Sequence, residues 1–168
     1  MPKEDAGAVS DKSSLSPERM LLQYIESHWT LEVENISRCD ISFTDKDHNT
    51  DNQVYAPTVC VQMQSAQRMP PKYDDWYEFL FSIKVSLWSR WSKLPQDCDI
   101  RLLHNQMIDH IKSMFSVYPG IKCPKGWTYA YVDSVTNLAL TRNLPPELNA
   151  YNLVVRAMFN WKPNPKRD

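Results

Sequence analysis

Glycine is nearly missing from this chain: three residues in 168, against twelve prolines. Loops that cradle phosphate, and the glycine fingerprint of dinucleotide-binding folds, need several glycines close together, so both nucleotide chemistries are excluded. Long apolar runs are missing too, since none approaches the ~18 to 20 residues of a membrane-spanning helix. The segment Met1-Pro2-Lys3-Glu4-Asp5 lacks the apolar core of a signal peptide. That predicts a chain that stays in the cytosol or nucleus, with Cys39, Cys60, Cys98 and Cys123 as reduced thiols.

Metal-ligand spacing is also lacking. No Cys-x-x-Cys pair occurs, and His104 and His110 stand six apart, about 240° around a helix axis, where they cannot close on one ion. A Cys60 or Cys123 nucleophile needs a histidine, and His28, His48, His104 and His110 sit in no local signature. The acidic pairs Asp74-Asp75 and Asp97/Asp99 read as a turn and a helix cap. The chain is therefore expected to be no enzyme and to need no cofactor or metal.

What is present is one core's worth of apolar residue: 42% hydrophobic, with six tryptophans. Charge is divided along the chain. Residues 1–83 hold 7 Lys+Arg against 14 Asp+Glu, a net of −7, and residues 84–168 hold 12 against 6, a net of +6. Opposite halves attract within one chain or between copies, and the basic half suits an acidic partner.

The strongest pattern runs from Tyr77 to Leu87. Tyr77, Phe79, Phe81, Ile83, Val85 and Leu87 alternate with Glu78, Ser82, Lys84 and Ser86, interrupted by Leu80, which predicts a half-buried strand. A last strand is predicted from Tyr151 to Trp161, with Leu153, Val155, Ala157 and Phe159 on one face and Asn152, Arg156 and Asn160 on the other. Further strand-like runs lie at Trp29, Leu31 and Val33, at Ile41 and Phe43, from Val54 to Met63, and from Trp127 to Val132, with Pro57 delaying the third or sending it to a sheet edge.

Two helices are expected. Ser16-Pro17-Glu18 is a cap, a first-turn proline and an acid at the positive end of the dipole, ahead of Met20, Leu21, Tyr24 and Ile25. Asp97 or Asp99 caps the second, whose stripe Ile100, Leu103, Met107, Ile111, Met114 runs to about Val117, with Asp109, His110 and Lys112 facing away. The fold class is α+β: a single small domain, residues 17–162, with a mainly antiparallel sheet packed by two helices. It follows a disordered N-terminal arm, 1–16, and precedes a short tail, 163–168.

Three surface features stand out. Pro70-Pro71-Lys72-Tyr73 fits the groove of a WW domain through Pro70, Pro71 and Tyr73, but reads more readily as a turn before the strand. Trp88, Arg90, Trp91 and Lys93 alternate aromatic and basic groups, a pattern suited to base stacking or an anionic lipid interface, and equally to indoles buried at a strand end. Ile121, Lys122 and Lys125 lie in a turn-rich loop that can dip into headgroups or serve as a plain connection.

The run Tyr77-Glu78-Phe79-Leu80-Phe81-Ser82-Ile83-Lys84-Val85-Ser86-Leu87 is followed by a Trp/Arg spacer, an acid-capped helix, a glycine-containing loop and an aromatic strand. Over about residues 70–142 this order resembles the central segment of rhabdovirus matrix proteins, and the short chain fits a plant-infecting member. The resemblance implies a non-catalytic, self-assembling protein of the virion that links the ribonucleoprotein to the membrane during assembly and budding. It would be found in the host cytoplasm, on membranes and in the nucleus. The partners so implied are further copies of the chain, the viral nucleocapsid, an anionic membrane surface and, through Pro70-Pro71-Lys72-Tyr73, WW-domain host proteins. Residues 1–27 hold three basic and five acidic residues, so contact with anionic surfaces is expected in the second half of the chain. A small viral nucleic-acid-binding or host-interaction protein using that basic half is the other reading.

Overall fold

A computed structural model describes residues 16–31, 37–46, 55–69, 75–94, 97–116, 121–140 and 143–161. The expected arm and tail lie outside these residues, apart from Ser16. Helix α1 (Pro17–Ser27) starts where the sequence predicts: the Ser16 side chain accepts from the Arg19 amide at 3.3 Å, and Pro17 occupies the first turn. Strand β1 (Ser42–Thr44) pairs parallel with β2 (Thr58–Arg68), which begins directly after Pro57. Strand β3 (Trp76–Trp88) carries the long alternating run. Helix α2 (Ile100–Ser113) is capped by Asp99, whose carboxylate accepts from the Arg101 and Leu102 amides. Strands β4 (Trp127–Asn137) and β5 (Leu148–Asn160) follow.

The five strands form one sheet in the order β1-β2-β3-β5-β4, antiparallel except for the β1–β2 pair. The α+β class and the mainly antiparallel sheet with two helices are thus observed. Alternation does what the sequence requires of it: Phe79, Phe81, Ile83, Val85 and Leu87 are all fully buried, with Leu153, Val155, Ala157 and Phe159 beside them. Both helices add residues to this cluster, α1 through Leu21, Leu22 and Ile25 and α2 through Leu103, Met107, Ile108 and Ile111. Aromatic rings stack along it, Phe79 on Phe159 at 4.4 Å and Phe159 on Trp127 at 4.1 Å.

Three expectations fail for physical reasons. Trp29–Leu31 form no strand, because the Trp29 ring is claimed by Phe43 and His110 and its indole N–H by the Leu31 carbonyl; Val33 lies outside the described residues. Helix α2 stops at Ser113 rather than near Val117. Phe115 turns into the core there, and Ser116 pairs with Lys122 through two backbone hydrogen bonds of 2.8 and 3.0 Å. His110 does not face away: it is half-buried against Trp29.

Candidate functional site

The register of the sheet decides which candidate residues can act together. Trp127 pairs with Phe159, and Phe159 with Tyr77, so the loop before β4 lies at the end of the sheet where β3 begins. Trp88 closes the other end, about 36 Å away at ~3.3 Å per residue. The candidate surface is therefore split. Trp88, Arg90, Trp91 and Lys93 cannot form one patch with Ile121, Lys122 and Lys125.

Of the two open readings of the first group, burial describes the indoles. Trp88 is 9% exposed and meets Tyr55 edge to face, within a small second cluster with Leu138, Leu148 and Ala150; Trp91 is 8% exposed in the main core. Neither indole is presented for stacking on a base or entering a lipid interface. Their neighbours are held as well. Arg90 pairs with Glu147 at 2.5 Å, and Lys93 with Asp40 at 2.8 Å. The hydrogen bond from Lys93, with those from Ser37, pulls the Asp40 carboxyl down to about 2.

The second group is different. Ile121 is 63% exposed, and Lys122 and Lys125 are exposed on either side of Cys123 and Pro124. Lys112, in the last turn of α2, belongs to the same end of the molecule through the Ser116–Lys122 pairing. Among the described residues none of these three lysines takes part in an ion pair. An exposed aliphatic side chain and exposed lysines at one end of the molecule suit an anionic surface with an apolar interior. Residues 70–74, holding Pro70, Pro71 and Tyr73, lie outside the described residues. The described residues Met69 and Trp76 on either side share a 2.8 Å backbone hydrogen bond, the Met69 amide donating to the Trp76 carbonyl.

The second face of the sheet carries a network that sequence reasoning missed. Glu78 on β3 receives Arg156 Nη1 at 2.7 Å and the Tyr129 hydroxyl at 2.8 Å, and Arg156 Nη2 lies 3.7 Å from Asp133. The Tyr129 and Arg156 hydrogen bonds hold the Glu78 carboxyl below its usual range, while burial and that carboxylate push the Tyr129 phenol up to about 12. Leu80, Tyr131, Val154 and Met158 surround the network, all half-buried. The only advance signal was that Glu78 and Arg156 fall on the outward side of their strands. Nothing local pairs residues 78 positions apart.

As for chemistry, His104 is buried and its Nε2 bonds the Val85 carbonyl at 2.9 Å, with burial lowering its pKa. Cys123 is half-buried and burial pushes its thiol up, away from the thiolate. No group of three His, Cys, Asp or Glu able to hold a metal ion occurs among the described residues, and no helix among them is long and apolar enough to cross a membrane. No family model matches the sequence, and no curated protein matches it either.

Proposed function

We propose that this chain is a non-catalytic viral matrix protein that self-assembles and joins a ribonucleoprotein to an anionic membrane. The observation that carries the reading is the end of the molecule to which Ile121, Lys122, Lys125 and Lys112 belong, where an aliphatic side chain and three lysines without a described counter-ion are all exposed. The strand–helix–strand order of β3, α2 and β4 is in keeping with the resemblance over residues 70–142.

Self-association has physical support in the sheet. No described helix packs over most of its second face, which offers Tyr129, Tyr131, Met158 and Arg156, residue types enriched at protein interfaces. The charge division is partly satisfied inside the fold, since Lys93–Asp40 and Arg156–Glu78 each join the basic half to the acidic one. The remaining charge acts between molecules and weakens as salt screens it.

Sedimentation of the purified chain at low and moderate salt, with and without RNA, tests the proposal. A self-assembling matrix protein grows in mass as salt falls, without RNA. A chain that stays small at every salt concentration until RNA is added is instead a dedicated nucleic-acid binder.

A further inference from the structure

The chain leaving α1 crosses α2 as a short strap, residues 29–31, before the described chain resumes at Ser37. Its one polar tie to α2 is the Thr30 amide, which donates to Nε2 of His110 at 3.0 Å. The Trp29 ring stands edge-on to the same imidazole at 4.9 Å and 90°, and on Phe43 of β1 at 5.7 Å. Accepting a backbone N–H requires a lone pair on Nε2, so the ring bound in this way is neutral and carries its proton on Nδ1. Protonation places a second N–H against the first, and the attraction becomes a repulsion.

We propose that His110 is a pH-sensitive latch: its neutral imidazole holds the Trp29–Leu31 strap on α2 through the Thr30 amide, and acidification releases the strap. The surroundings favour the neutral ring. Together with His28 at the end of α1 and Lys122 from the loop before β4, His110 lines a cleft of about 490 Å³, and among the described residues no carboxylate lines that cleft. Its other titratable walls, Tyr24 and Cys123, are uncharged near neutral pH. Partial burial lowers the His110 pKa further. On its own helix, Asp109 and Lys112, one residue before His110 and two after it, are exposed; the negative end of the α2 dipole is the opposing influence and favours the imidazolium.

Opening the latch frees the cleft wall at Thr30 and loosens the packing of Trp29 between α2 and β1. His28 does not substitute, because its Nδ1 is engaged with the Tyr24 carbonyl at 2.8 Å on its own helix. His104, deeper in the core, keeps its bond to Val85 and has no contact with the strap.

The test is an amide-exchange and NMR titration of the full chain from about pH 7.5 to about pH 5, the range in which histidine changes charge. Exchange at Thr30, corrected for its intrinsic rate, is compared with the His110 ring proton shift. The expected result is loss of Thr30 protection, roughly tenfold per unit of pH below the His110 midpoint, while β3 amides stay protected. His110→Gln retains an acceptor near the Nε2 position and cannot titrate, so its Thr30 protection should not vary over that range. Thr30 protection that is constant through the His110 titration overturns the latch, as does an equal loss in His110→Gln. Where that variant does not fold, the wild-type titration decides alone.

Discussion

Replacing Phe81 and its neighbour Ser82 in turn probes the two faces of β3 with the smallest change of position. Phe81 has no exposed surface and stacks on Phe79 at 5.7 Å and on Trp127 at 5.8 Å. Cutting it to alanine removes a large aromatic from a close-packed core, a loss of ~3 to 5 kcal/mol. Phe81→Asp adds the burial of a carboxylate with no cation on that face, several kcal/mol more. The sum reaches the ~5 to 15 kcal/mol that holds a typical domain together, so Phe81→Asp should leave the chain unfolded. Ser82, one residue on, is half-buried on the second face, and its hydroxyl donates to Asn152. Ser82→Asp loses that bond, but the Asn152 amide can rotate to offer its NH2 group to the new carboxylate, leaving a cost of about 1 kcal/mol. Urea unfolding followed by far-ultraviolet circular dichroism measures both, with Phe81→Ala as the intermediate case. Equal losses at positions 81 and 82, or a loss under ~1 kcal/mol in Phe81→Ala, would refute the assignment of faces.

Other expectations can be measured on the same preparations. Glu78 has a lowered pKa in the fold, so its contribution is fully present above the unfolded value near 4.5 and is lost as pH falls through the folded one. Glu78→Gln should therefore be less stable than wild type at neutral pH and nearly equal to it in acid; a gap that persists in acid contradicts the pairing. Reversing the charges of Arg90 and Lys93 together should lower thermal stability, since both are tied to acids, while leaving adsorption to anionic vesicles unchanged. A large loss of adsorption with unchanged stability would put the binding surface at that end. A peptide spanning Met69 to Trp76 should bind a Pro-Pro-x-Tyr-selecting WW domain weakly and lose that binding with Tyr73→Ala. No binding by the unaltered peptide would leave Pro70 to Tyr73 as a turn before β3.

The alternation of Phe79 to Leu87 and of Leu153 to Phe159 was legible because a strand with one buried face writes its period directly into the chain. Ser16, Pro17 and Asp99 were legible because helix ends are satisfied by neighbours in sequence. Position in the sheet was not, and it separated Trp88 and Trp91 from Ile121 and Lys125. A tryptophan beside an arginine looks the same in sequence whether its ring faces solvent or core. The partner that decides the matter, Tyr55 for Trp88, lies 33 positions away. Likewise, His110 sits on the outward side of the stripe drawn from Ile100 to Met114. Only the return of the chain over α2 gives it Thr30 and Trp29 as neighbours.

The end of the molecule carrying Ile121, Lys122 and Lys125 is the surface proposed to meet an anionic membrane. Flotation with vesicles made with and without anionic lipid, comparing wild type with a Lys122→Glu/Lys125→Glu double variant, tests it most directly. Wild type should float with anionic vesicles and less so as salt rises, and the double variant should stay at the bottom at every salt concentration while melting like wild type. A double variant that floats as well as wild type, or a wild type indifferent to anionic lipid, would contradict it.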